Sequence, residues 1–129
     1  MPLVDFKHII AWQKGHSFVV LVYRKCHRIP EFKKYGFVSQ LTRAAISITA
    51  NIAEGVQKVS KADKLRFLNI SQGSLAECMN YIILGRELNY FTDQDYQELN
   101  DAIRVTSFFL DKYISGVEGN SGIKDNFNN

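Results

Sequence analysis

Gln40, Arg43, Ser47, Asn51 and Glu54 recur at steps of three and four along one stretch of the chain, a spacing that a helix turns into a single polar stripe. Aligned hydroxyl, amide and carboxylate groups suit either a hydrogen-bond network that fixes helix register or a polar reaction site. Ser74 and Glu77 lie further along and meet the stripe if their helix packs against it. Glu54 and Glu77 are the one pairing of carboxylates this suggests, but the paired Glu-x-x-His units of a di-iron bundle are missing. His8, His16 and His27 fall on one stretch, with His8 and His16 roughly 12 Å apart along a helix axis, too far to share a metal without other ligands. His27 sits near that helix's end, where a cation is favoured and a capping role suffices. There is no Gly-rich phosphate loop, no Cys-x-x-Cys and no Ser/His/Asp or Cys/His constellation. The expectation is therefore no enzyme, no metal and no cofactor, with Asn51, Glu54, Gly55, Ser74 and Glu77 serving as a structural motif.

The basic residues carry the stronger functional signal. From Lys7 through Ile29 the chain holds no acidic residue, and Lys7, Lys14, Arg24, Lys25 and Arg28 are expected on the outward side of a first helix, with Arg43 added from the second. Such a strip suits a phosphate backbone, since each neutralised phosphate releases counterions. No aromatic stacking pattern or base-reading motif accompanies it in the sequence. Net charge is only +3, yet residues 1–66 contain twelve Lys/Arg against four Asp/Glu, and residues 67–129 contain four against nine. This polarity implies either an anionic partner, structured RNA or DNA, for the first half or pairing between basic and acidic halves within or between subunits.

The elements that must position these groups are helices. A chain of 129 residues, 46% apolar and 22% charged, has the balance of one globular domain with a single core. Pro2 and Pro30 are its only prolines, and such a long proline-free run favours helices over a loop-rich β fold. Four segments are expected: about Lys7 to Arg28, Gly36 to Gln57, Ser60 to Leu88, and Thr92 to Gly116. Ser60 with Asp63 reads as a reciprocal cap, and Thr92 with Asp93 and Asp95 as a favourable helix start. Their apolar seams are Trp12, Val19, Tyr23 and Cys26; Phe37, Leu41, Ala44, Ile48 and Ile52; Leu68, Ser71, Leu75, Cys78 and Ile82; and Tyr96, Leu99, Ile103, Thr106, Leu110 and Tyr113. The architecture expected is all-α, an antiparallel up-down four-helix bundle over residues 1–116, with residues 117–129 as a flexible tail. Ile10, Leu21, Val105, Phe108 and Phe109 fall outside the seams and suggest a self-association surface. Cys26 and Cys78 read as reduced core thiols. The apolar run Phe18 to Tyr23 is too short to span a bilayer and the opening residues lack a secretion-signal layout, so no membrane partner and a cytoplasmic location are expected.

The sequence resembles the bacterial four-helix-bundle proteins encoded in intervening sequences of large-subunit ribosomal RNA genes. The likeness runs from about Phe6 to Ile114. It rests on Phe6, Trp12, Tyr23, Gly36, Gln40-Leu41, Arg43-Ala44-Ala45, Ser47-Ile48, Asn51-Ile52-Ala53-Glu54-Gly55, Arg66-Phe67-Leu68, Gly73-Ser74-Leu75-Ala76-Glu77 and Leu88-Asn89-Tyr90. Thr49 stands where many relatives carry proline, and Val56-Gln57-Lys58 replaces the usual Gly-Arg after the motif. The resemblance implies a ring-like homopentamer without established enzymatic activity. It also implies kinship to the accessory proteins of diversity-generating retroelements, basic pentameric bundles that bind nucleic acid and a reverse transcriptase.

Overall fold

The capping chemistry of the chain sets where its helices begin and end. The computed structural model describes residues 2–119, the side chains of residues 33 and 34 apart. Its helices are α1 (Ile10–Cys26), α2 (Glu31–Lys34), α3 (Phe37–Gly55), α4 (Lys61–Glu87) and α5 (Asp93–Glu118), with no strand among the described residues. The four long helices are those expected, and α2 is a single turn within the segment read as a connection. Each long helix packs on its neighbours in chain order, and α1 closes the ring against α5, giving the expected all-α bundle.

Start and stop signals explain the boundaries. Ser60 accepts the Asp63 backbone N–H at 3.1 Å, but the return bond expected from the Asp63 carboxylate is not made; that side chain faces Arg66 at 3.5 Å instead. The complete reciprocal cap lies at the start of α5, where Thr92 accepts from the Asp95 backbone N–H and Asp95 accepts from the Thr92 backbone N–H, both at 3.0 Å. α1 begins three residues later than expected: the Lys7 N–H is taken by Asp5 Oδ1 at 3.0 Å, and Ile9, extended and without a side-chain cap, is the last residue before the helix. At the far end α5 runs on through Glu118 to Gly119, whose left-handed conformation terminates it. Val117 and Glu118 are therefore helical rather than part of a tail, and the rest of the expected tail, residues 120–129, lies outside the described residues.

The seams of α3, α4 and α5 fall largely where the periodicity puts them, with Leu41, Ile48, Ile52, Leu68, Cys78, Ile82, Leu99 and Leu110 fully buried. On α5, Ile114 rather than Tyr113 continues the buried stripe. The α1 seam is rotated by about one residue from the expectation. Ala11, Gly15, Phe18, Val22 and Cys26 are buried, whereas Tyr23 is exposed. Trp12 stays at the edge, edge-on to Phe6 at 5.2 Å and stacked on His16 at 4.8 Å. Close helix approach selects the rotated phase: a Cβ on Gly15 would stand 3.0 Å from the Thr49 methyl of α3, so the narrow face of α1 turns inward. Thr49, in the position the resemblance associates with proline, supplies that contact.

Candidate functional site

The polar stripe of α3 resolves into an interhelical network and an exposed remainder. Ser74 of α4 donates to Ser47 Oγ at 2.8 Å, and Asn51 donates both to that oxygen at 3.0 Å and to the Ser47 carbonyl at 2.8 Å. One turn along the interface, buried Ser71 donates to the Ile48 carbonyl at 2.8 Å. No buried side-chain polar atom among the described residues lacks a partner, so the network is satisfied by its own members. Gly55 belongs to the same contact, because a Cβ there would crowd Phe67 Cβ of α4 at 3.1 Å. Glu54 and Glu77 do not join it. Both are exposed, and among the described residues Glu54 pairs with Lys58, one turn away on its own helix, at 3.9 Å. The expectation that these carboxylates belong to the buried motif is thus corrected: at those positions α3 and α4 have already turned the side chains to solvent.

The remaining nucleophile and metal candidates are quiet. Cys26 and Cys78 are buried and not joined in a disulfide; burial, with the nearby Glu77 charge, pushes the Cys78 thiol up to about 12, far from a reactive thiolate. No group of three or more His, Cys, Asp or Glu side chains able to hold a metal occurs among the described residues. No helix among them is long and apolar enough to cross a membrane.

The six basic candidates do not form one strip. Lys25 Nζ of α1 reaches Asp95 Oδ1 at 3.1 Å and Glu98 Oε2 at 2.5 Å on α5, and Arg28 pairs with the same Asp95 oxygen. Asp95 is the hub of this cluster, with a side chain only 6% exposed. Burial alone would raise its carboxyl, but the Thr92 backbone N–H, Lys25 and Arg28 outweigh that and hold it at about 2. The Lys25 ammonium is in turn raised above its ordinary value, first by the hydrogen bond to Glu98 and then by that to Asp95. Two members of the expected phosphate-tracking strip are therefore committed to clamping α1 onto α5. Arg43 lies one turn from Ser47 on the edge of α3 that faces α4, away from the others. Lys7, Lys14 and Arg24 are exposed and make no ion pair among the described residues.

The candidate association residues also divide. Ile10, Val105 and Phe108 are 48%, 41% and 54% exposed. Leu21 and Phe109 instead pack partly against the core, a correction to their expected outward orientation: for Leu21 it follows from the rotated phase of α1, and Phe109 flanks the buried stripe of α5 beside Leu110. Phe109 contacts Phe108 edge-on at 5.1 Å and, with Ile9, Ile10, Ala11 and Tyr113, lines an open hollow of about 440 Å³ between α1 and α5. Lys112 lies over the Phe108 ring at 5.3 Å. The result is a largely apolar surface at the outer edge of that helix pair, with His8 and Lys112 also lining its hollow.

Sequence reasoning placed Asp95 at a helix start but missed its role, with Glu98, as an ion-pair partner of Lys25 and Arg28. The Thr92-x-x-Asp95 spacing is a capping signal visible in the sequence; the partners of Asp95 on α1 and just beyond it lie far away along the chain and are not.

A family model described as 23S rRNA-intervening sequence protein matches residues 7–112. The chain belongs to that family. The matched region holds all of α1 to α4 and most of α5, so the family's pattern is that of the bundle itself, and the likeness read from the Asn-Ile-Ala-Glu-Gly motif is borne out. A crystal structure described as a protein of unknown function from the S23 ribosomal protein family, from Bacteroides thetaiotaomicron, superposes with a TM-score of 0.74 at 28% identity, covering 81% of this chain and 97% of that one. No curated protein matches the chain. In this member of the intervening-sequence family, Gly55 and Asn51 thus serve the α3/α4 contact, and Glu54 of the same motif does not.

Proposed function

We propose that the protein is a non-enzymatic, homo-oligomeric bundle that binds RNA or DNA through the outward surface of α1. The observation that carries the reading is the acid-free stretch from Lys7 to Ile29, on which Lys7, Lys14 and Arg24 remain exposed and without ion pairs among the described residues. Three cations per subunit give weak binding alone, and an oligomer repeats them into usable avidity. The largely apolar surface around Ile10, Val105, Phe108 and Phe109 supports self-association, and a pentamer is the assembly that the resemblance implies. A cytoplasmic setting suits the two buried thiols.

A second reading rests on the Lys25–Asp95–Arg28 cluster. Pairing of the basic half with the acidic half within the subunit is what a protein-binding or structural scaffold without nucleic-acid affinity would show. Replacing Lys7, Lys14 and Arg24 together with Gln separates the two. The binding reading expects weaker attachment to unrelated RNA and DNA sequences, with unchanged sedimentation. It also expects a shallower dependence on salt, the log–log slope falling by about 0.7 to 0.9 for each phosphate that is no longer neutralised. Wild-type protein that binds neither polymer at low salt leaves the scaffold reading standing. Lys25 and Arg28 stay intact in this variant because removing them breaks the clamp between α1 and α5.

A further inference from the structure

The most exposed aromatic side chains among the described residues lie where α1 hands over to α3. Pro30 sets the start of α2, and the single turn Glu31–Lys34 leads into Tyr35 and Gly36. Gly36 holds φ at +88°, a conformation that side-chain-bearing residues rarely adopt, and the chain reverses there into α3. The reversal leaves Tyr35 extended and 96% exposed, with Phe32 81% exposed one turn before it. Neither ring is needed by the core, and exposure this complete distinguishes them from the half-covered residues of the α1/α5 surface.

The chain that leads to the rings is rich in cations, with one acid, Glu31, opening α2 beside Phe32. Arg24 and His27 form the outer edge of α1's last turn and, with Tyr23, line a shallow hollow there. Lys33 and Lys34 stand between the two rings in the sequence. The acids that α5 brings to this end are engaged: Asp93 with Arg86 at 3.0 Å, and Asp95 and Glu98 with Lys25 and Arg28. Exposed flat rings on a stretch of chain rich in cations fit unpaired bases, which offer π faces to stack on and phosphates to neutralise, better than a paired duplex, whose bases are already stacked.

We propose that Phe32 and Tyr35 form a stacking platform for unpaired bases, so that the α2 end of the bundle selects single-stranded over double-stranded nucleic acid. The inference rests on the nucleic-acid reading above and narrows it to a substrate form and two residues. In an oligomer each subunit contributes one platform, matching repeated contact along a flexible strand.

The test compares the full-length wild type with the Phe32→Ala/Tyr35→Ala variant, Gly36 being retained so that the turn survives. The probes are a labelled oligouridylate and an RNA duplex of equal length, titrated at low salt. The expected result is a loss of about tenfold or more in affinity for oligouridylate, little change for the duplex, an unaltered salt slope, and unchanged helicity and sedimentation. Single substitutions are expected to give intermediate losses. If wild type binds oligouridylate and the variant binds it equally well, the platform is refuted while the binding reading stands. If the variant instead falls to a smaller assembly, the rings belong to a protein contact and the platform is likewise refuted. If wild type binds neither probe, both readings fall.

Discussion

Asp95→Asn isolates the charge at the hub of the α1/α5 clamp. The amide keeps an oxygen to accept the Thr92 N–H, so the helix start survives, and Lys25 keeps Glu98 at 2.5 Å. Arg28, 57% exposed, returns to water at small cost. What disappears is the preference of the folded protein for the ionised carboxylate. A carboxyl held at about 2 instead of 3.8 contributes about 2 kcal/mol when fully ionised. For a domain of this size that corresponds to a fall of about 8 °C in melting temperature. The sign follows from the depressed value. The stabilisation is complete above the unfolded carboxyl's range and is lost as pH falls through about 2, so the gap between wild type and variant should close between about pH 5 and about pH 2. Thermal melts followed by circular dichroism across that range measure it. A variant that melts with the wild type at neutral pH, or a gap that persists undiminished at about pH 2, refutes the reasoning.

Gly85→Ala tests close packing, because a Cβ there would meet the Phe91 ring at 2.6 Å and the Phe37 ring at 2.8 Å; overpacking of about 1–3 kcal/mol outweighs a gain of about 1 kcal/mol in helix propensity, and denaturant titration should show net destabilisation. Glu54→Ala and Glu77→Ala should each stay within about 0.5 kcal/mol of wild type by the same assay, as exposed residues outside the network. Ser74→Ala should cost about 1 kcal/mol through removal of the bond to Ser47. Cys78 should react with a thiol reagent only on unfolding, a rate that the progress of mass labelling in native buffer and in denaturant will show.

Legibility from sequence varies with the kind of contact. On α3, α4 and α5 large apolar residues alternate with polar ones, so the seams through Leu41, Leu68 and Leu99 can be read directly. α1 defeats the same reading because Phe18 to Tyr23 is almost wholly apolar and carries no phase, while Ala11 and Gly15 are too small to register as core. The Ser47–Ser74 pairing is foreseeable from two stripes, but which stripe members turn inward depends on the crossing of α3 and α4, and Glu54 and Glu77 fall beyond it. Lys25 and Arg28 look like a ligand surface because nothing local distinguishes a cation that awaits a phosphate from one that has a distant carboxylate. Phe32 and Tyr35 fall, on sequence, within a plain turn, since exposure of an aromatic ring is a property of the tertiary fold.

Whether the surface of α1 holds nucleic acid is the central claim. Fluorescence anisotropy of a labelled single-stranded RNA, titrated with wild-type protein over a series of salt concentrations, tests this most directly. The prediction is saturable binding at low salt that weakens linearly in log–log form as salt rises, with the bound species sedimenting as an oligomer. A flat anisotropy at every protein concentration in low salt would contradict it.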